Sequence, residues 1–293
     1  MDNNNAPRLA LNPVGKLFSD SWKLYKERFG VLTEIMLLPV LIMVLAEVLI
    51  SLGSIFALLG VLVLILGFIS LVFVSLPLIS SIHNNSGVDA SYRNTMGLFW
   101  PFVWLVILSA LAVFGGAFML LIPGIWLAIA LAMARYTFVI EGRRGIDAMR
   151  QSKDYVKGYW WAVFGRSILI GLLFMAVVIV IELPLGALLA VFVGKAGAGI
   201  IGFVLTLFYV PFSTVYVYNI FENLRTLKPE LAQVKTKEGT GFLKASAIVG
   251  LVVPILLVLA AIVLVGAGAF YMLSHASRYV PPSGYAAPAP LQQ

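Results

Sequence analysis

Apolar residues run along this chain in long blocks, broken by Pro, Gly and short clusters of charge. A helix needs about 20 consecutive apolar residues to cross roughly 30 Å of hydrocarbon. Seven stretches are candidates: 31–53, 55–81, 99–121, 124–140, 161–183, 198–221 and 245–273. Only "SLGS" separates the first two and only "IPG" the third and fourth, which predicts a tight helical hairpin in each case. The pattern predicts an all-α polytopic transmembrane bundle of about seven spans over 31–273. A charged arm, 1–30, precedes it, and a Pro/Ala-rich tail, 274–293, follows. The arm has no small-residue cleavage site, so it does not read as a signal peptide.

Two segments outside the spans have helical periodicity. In the N-terminal arm, Val14, Phe18, Trp22, Tyr25 and Phe29 recur at helical spacing, flanked by Lys16, Lys23, Lys26 and Arg28. Between the fourth and fifth spans, Ile146, Met149, Val156 and Trp160 do the same among cations. Both are expected to lie as amphipathic helices in the membrane interface. Aligned on each other, they match Ser21 with Ser152, Lys26 with Lys157 and Phe29 with Trp160. Further on, Pro77 falls on Pro211 at nearly the same offset. This suggests a weak parallel internal repeat, which bears on architecture more than on activity.

Composition agrees with a membrane protein. Of 293 residues, 61% are hydrophobic and 11% charged, against about 25% charged in soluble domains. There is no cysteine, and His83 and His275 are the only histidines, so thiolate chemistry is excluded and zinc chemistry has little support. No phosphate-cradling glycine loop and no nucleophile elbow occurs. No cofactor and no catalytic residue is expected. Charge also orients the chain. With seven spans, 18 of the 20 basic residues fall on the side of the N-terminus, leaving Lys195 and Arg278 opposite. If 99–140 made a single crossing, the split would be 8 against 12. The positive-inside rule therefore favours seven spans with the N-terminus cytoplasmic and the C-terminus outside. Arg135, near the end of the fourth span, can snorkel to the headgroups.

Two groups of residues are candidate sites. Arg143, Arg144, Arg150, Lys153 and Lys157 form a basic segment that topology alone explains, or that contacts anionic lipid headgroups at the cytoplasmic face. Glu47 and Glu182 lie within spans at nearly repeat-equivalent positions. They are either hydrated at the outer interface or a matched pair able to hold a cation or exchange a proton. Gly53, Gly60 and Gly67 repeat every seven residues and predict close packing of the second helix. "GKAGAGIIG", 194–202, reads as a flexible outer loop. Trp100, Trp104, Tyr159, Trp160 and Trp161 read as an interfacial belt, and nucleic-acid binding is not expected.

"SDSWKLYKERFG", the hairpin "IPGIWLAIALAMARYTFVIEG" leading into "AMRQSKDYVKGYWWAVFG", and "YVPFSTVYVYNIFENLR" resemble the bacterial YciC-like family. They also resemble the membrane domain found beside glycerophosphoryl diester phosphodiesterases. The resemblance covers roughly residues 14–228. It implies a six-helix inner-membrane unit with no assigned reaction, sometimes discussed in envelope homeostasis. The chain departs from it by lacking the phosphodiesterase domain and adding a seventh span. The expectation is a non-enzymatic bacterial inner-membrane scaffold or envelope-maintenance factor acting through lipids, a membrane-protein partner or a second copy. The alternative is a small-solute, ion or lipid carrier.

Overall fold

The computed structural model describes residues 10–193, 195–233 and 240–276. Helix accounts for 90% of them and none lies in a strand. Among the described residues, seven helices are long and apolar enough to cross a membrane: Val14–Ser51, Ile55–Asn84, Phe99–Met119, Leu121–Ile140, Trp160–Phe192, Ile201–Leu227 and Gly241–Leu273.

Helix α1 runs from Val14 to Ser51 without interruption, with Pro39 inside it. The expected boundary between an arm ending at residue 30 and a separate first span is therefore absent. Gly30 does not break the helix because the lower half of α1 is covered by other helices: Leu17, Ser21 and Tyr25 are buried. Gly53, at φ +70°, makes the turn into α2, Ser54–Phe73. Of the three heptad-spaced glycines, Gly60 and Gly67 face α1. A Cβ on Gly60 would lie 2.7 Å from Ile50 Cγ1, and one on Gly67 2.8 Å from Met43 Cγ. Gly53 meets nothing within 4 Å and serves the turn instead.

After α2 come α3, Ser75–Asn84, and α4, Val88–Met96, joined by a loop that Arg28 of α1 closes. Its guanidinium donates to Ser81 O at 3.0 Å, to Asn85 Oδ1 at 2.5 Å and to Ser86 O. Helix α5, Phe99–Met119, turns into α6, Leu121–Ala130, and α7, Ala134–Ile140. The fourth span is thus two short helices with a break at 131–133, not the single helix expected over 124–140. Helix α8, Ile146–Val156, heals that break. Ser152 Oγ donates to Ala130 O at 2.7 Å and accepts the Met133 N–H at 3.0 Å. Without that hydroxyl, two backbone groups would be left unpaired at bundle depth, where each costs several kcal/mol.

Helix α9, Trp160–Val177, passes through a π-helical turn, Val178–Glu182, into α10, Leu183–Val193. Helix α11, Lys195–Leu227, packs back along α1 and α10. The stretch expected as a flexible loop at 194–202 is therefore helical from Lys195. Helix α12, Pro229–Gln233, is a single turn, and α13, Gly241–Ala276, lies on α5. A Cβ on Gly115 would overlap the Ser246 carbonyl oxygen, and one on Gly250 the Leu111 carbonyl oxygen, so the two backbones touch. The tail expected at 274–293 begins inside α13, and 277–293 lie outside the described residues.

Two buried clusters organise the bundle. One gathers Leu32, Ile35, Met36, Tyr136, Tyr155 and Phe221 around α1, α7, α8 and α11. The other joins Phe102, Leu105, Leu127, Phe138 and Met149 between α5, α6, α7 and α8.

Candidate functional site

Much of the basic segment is buried against the rest of the protein. Helix α8 buries Ala148, Met149, Arg150, Gln151, Ser152, Tyr155 and Val156. Its apolar stripe is covered by α7 and α11, which corrects the expected interfacial helix: periodicity identified the stripe but could not say whether protein or lipid would cover it. Of the five cations expected at headgroups, Arg143 and Arg150 are buried, at 8% and 2% exposure. Arg143 Nη2 donates to Ala232 O at 3.3 Å, and Arg150 pairs with Asp147 at 3.4 Å. Arg144 is exposed, stacked over Phe138 at 4.3 Å, and donates to Phe138 O at 2.8 Å. Lys153 is half-buried and Lys157 exposed.

A polar clasp holds this segment in place. Glu141, with its side chain 4% exposed, accepts the Tyr155 O–H at 2.5 Å and lies 3.8 Å from Arg225 Nε. Burial raises the Glu141 carboxyl above its ordinary value, while Tyr155, Arg225 and Arg143 oppose the rise. Burial raises the Tyr155 hydroxyl too, and the adjoining Glu141 reinforces this. Across the clasp, Lys228 Nζ donates to Asp154 O and Lys157 O at 2.6 Å and to Tyr155 O at 3.0 Å, closing the C-terminus of α8.

The two intramembrane glutamates come to one helix. A Cβ on Gly199 would lie 3.2 Å from Glu47 Cδ, and one on Gly202 would lie 2.7 Å from Glu182 Oε1. Residues 199 and 202 are one turn apart on α11, so both carboxylates approach the same face of it. Both side chains are half-buried. Glu182 ends the π-helical turn, where one extra residue re-aims the side chain. Among the described residues, no three His, Asp or Glu side chains gather as a metal site would require.

Among the described residues at least two cavities open between the helices, and neither follows from the sequence pattern. The first, about 480 Å³, is an aromatic groove between α1, α9 and α11, lined by Phe18, Trp22, Tyr25, Phe29, Phe174 and Phe212 among others. Phe212 meets Phe18, Trp22 and Tyr25 edge-on, with centroids 5.5, 5.8 and 5.6 Å away. Phe174 stacks on Tyr209 at 3.7 Å. Among the described residues Lys26 is the one charged residue at the groove, and it is exposed. The apolar face of the N-terminal arm therefore lines this groove, with Phe18, Trp22 and Phe29 still exposed.

The second cavity, about 840 Å³, is an open groove between α2, α3, α5, α6, α7, α9 and α11. Arg135 is its charged residue, and Ser75, Ser109, Ser167, Tyr209, Ser213 and Thr214 supply hydroxyls. Arg135, from which snorkelling is expected, is half-buried and lines this groove. A signal existed in the small hydroxyl residues scattered through otherwise apolar spans, although no spacing joins them. Set against known family models, curated proteins and solved structures, the chain matches none.

Proposed function

We propose that this chain is a non-enzymatic protein of the bacterial inner membrane, oriented with its N-terminus in the cytoplasm, that works as a lipid-binding scaffold or envelope-maintenance factor. The observation that carries the reading is the aromatic groove. Its wall is almost wholly apolar, it sits between three helices of membrane-spanning length, and a single lysine stands at it. That combination suits an acyl chain along the rings with an anionic headgroup near Lys26. The resemblance of residues 14–228 to the YciC-like family supports the bacterial setting.

The reading is tested by extracting the protein in mild detergent and quantifying the phospholipid that stays with it through size exclusion. Wild type is expected to retain phospholipid. Trp22→Ala with Phe29→Ala should retain it at least about 100-fold less tightly, since each ring buries apolar area worth roughly 1.5–3 kcal/mol. Lipid-free wild type, or equal retention by a folded variant, removes the reading.

A second reading, a carrier of a cation or proton, is favoured by one observation. Glu47 and Glu182 reach the same turn of α11 from two different elements.

A further inference from the structure

We infer that the α5–α6 hairpin is re-entrant: it enters the membrane from the side of the N-terminus, returns to that side, and rests its apolar tip in the lipid of that leaflet. In a chain of seven alternating spans, the third and the seventh run in the same direction. The glycine contacts give α5 and α13 opposite directions. Gly115 meets the Ser246 carbonyl and Gly250 meets the Leu111 carbonyl, so residue number falls along α5 as it rises along α13. Neighbouring pairs keep the alternation. Helices α1 and α2 are antiparallel through Gly60 at Ile50 and Gly67 at Met43, and α1 and α11 through Asn12 at Asn223 and Phe29 at Phe208.

Contacts near the hairpin turn identify α5 as the helix out of step. Arg166, in the second turn of α9, donates to Asn12 O at 2.7 Å, which sets the start of α9 beside the start of α1. Trp160, the first residue of α9, donates its indole N–H to Trp126 O at 3.1 Å. The Trp126 ring centroid lies 6.1 Å from that of Phe242, at the start of α13. Trp126 closely follows the turn, where a Cβ on Gly124 would lie 2.7 Å from Ala117 Cβ of α5. The turn and the starts of α1, α9 and α13 therefore share one end of the bundle. Had α5 crossed, its turn would stand roughly 30 Å away. At its other end α5 begins within the bundle. Phe99 stacks on Phe73 at 4.0 Å, and Phe73 lies about 15 Å of helix before His83, which meets Tyr218 and Glu222 near the end of α11.

Length agrees with this path. Helix α6 has 10 residues and α7 has 7, whereas a span needs about 20 and a re-entrant segment about 10–14. The break at 131–133 is irregular backbone sealed by Ser152, the kind that a bilayer tolerates where protein covers it. Charge is silent on the point. No Lys or Arg occurs between Arg93 and Arg135, so moving the turn leaves the 18 and 2 basic residues of the two sides unchanged. Crossings by α1, α2, α9–α10, α11 and α13 keep the termini on opposite sides. The tip residues Leu120, Leu121 and Ile122 are 69%, 71% and 78% exposed. Trp126, Trp160 and Trp161 stand beside them, as aromatic residues do at the headgroup level. Acyl chains of the near leaflet are the occupant that this setting selects. Placement on the N-terminal side stands by itself, and calling that side cytoplasmic rests on the orientation proposed above.

The test uses the full-length protein in cell membranes, with cysteines added to a chain that has none. Trp126→Cys with Phe242→Cys should be joined within one chain by a short bismaleimide, and Ser54→Cys with Phe242→Cys should not. Absence of the first link in folded protein overturns the proposal. Ile122→Cys, at an exposed position, is read with an impermeant maleimide in whole cells and in inverted vesicles, and decides if the paired variant fails to fold. Labelling from the same face as Asn85→Cys supports the hairpin, and labelling from the face of Ser54→Cys overturns it. A thiol reached from neither face leaves the decision to the link. Labelling of Ile122→Cys and Asn85→Cys together in whole cells keeps the hairpin and removes the cytoplasmic orientation. A bimane on Ile122→Cys in liposomes should be quenched by phospholipid carrying a nitroxide high on its acyl chain, and an unquenched bimane overturns the lipid placement.

Discussion

The Tyr155 hydroxyl donates to Glu141 Oε1 across 2.5 Å, tying α8 to the end of α7 beneath Arg225. Removing the donor with Tyr155→Phe leaves a buried carboxylate short of one bond, and should destabilise the protein by about 1.5–3 kcal/mol. Because burial raises the Glu141 carboxyl, the folded state holds that proton more tightly than the unfolded chain. Its contribution to stability is complete below the ordinary carboxylate value and is lost as pH rises through the raised one. Glu141→Gln should remove this component. Thermal unfolding of wild type and variant across the acidic to neutral range, in one detergent, measures the difference in slope.

The contact of α5 with α13 depends on two glycines with no room for a side chain. Gly115→Leu and Gly250→Leu should each destabilise by about 1–3 kcal/mol through overpacking. Gly266, also on α13, has nothing within 4 Å of its Cβ position, so Gly266→Ala should be neutral or raise stability by up to about 1 kcal/mol. Thermal unfolding of the three variants checks the contrast.

The proposed orientation can be read with single cysteines, since the native chain has none. Cysteines at Ser54 and Lys195 should react with an impermeant thiol reagent in whole cells, and those at Asn85 and Arg144 should not. Labelling at 144 but not at 85 would show that the broken α6–α7 segment returns to the side it entered from.

For the carrier reading, Glu47→Gln and Glu182→Gln are expected to fold as well as wild type, because a neutral side chain of the same size removes the desolvation of charge. If the pair acts as one site on α11, each single variant should lose function and the double should be no worse than either. Complementation of a deletion strain at matched expression measures this, and full complementation by all three excludes the pair.

The spans were legible because length and apolarity are properties of the chain taken one residue at a time. What covers an apolar stripe is not such a property. Met149 and Val156 in α8 and Phe18 and Trp22 in α1 showed the right faces, yet the protein itself covers the first pair and the second pair walls a groove. The arm boundary at residue 30 failed because a glycine breaks a helix only where nothing else holds it. The glutamates were singled out from their matched offset, but the helix that gathers them was missed. Gly199 and Gly202 read as loop from sequence, since small residues signal both flexibility and close approach. The Arg135 cavity draws on residues 75, 109, 167 and 213, whose proximity is set by packing of four separate elements.

The bridge from Ser152 across the break in the fourth span also orders the birth of the protein. Ser152 lies 19 residues beyond Met133. At roughly 5–20 residues per second, it leaves the ribosome about one to four seconds after the peptide groups it must satisfy. During that interval the nascent α6–α7 segment has an unsealed joint, and the bilayer is a poor place to wait with one. The hairpin is therefore a provisional insert, made permanent only when the following helix arrives from the aqueous side and locks it.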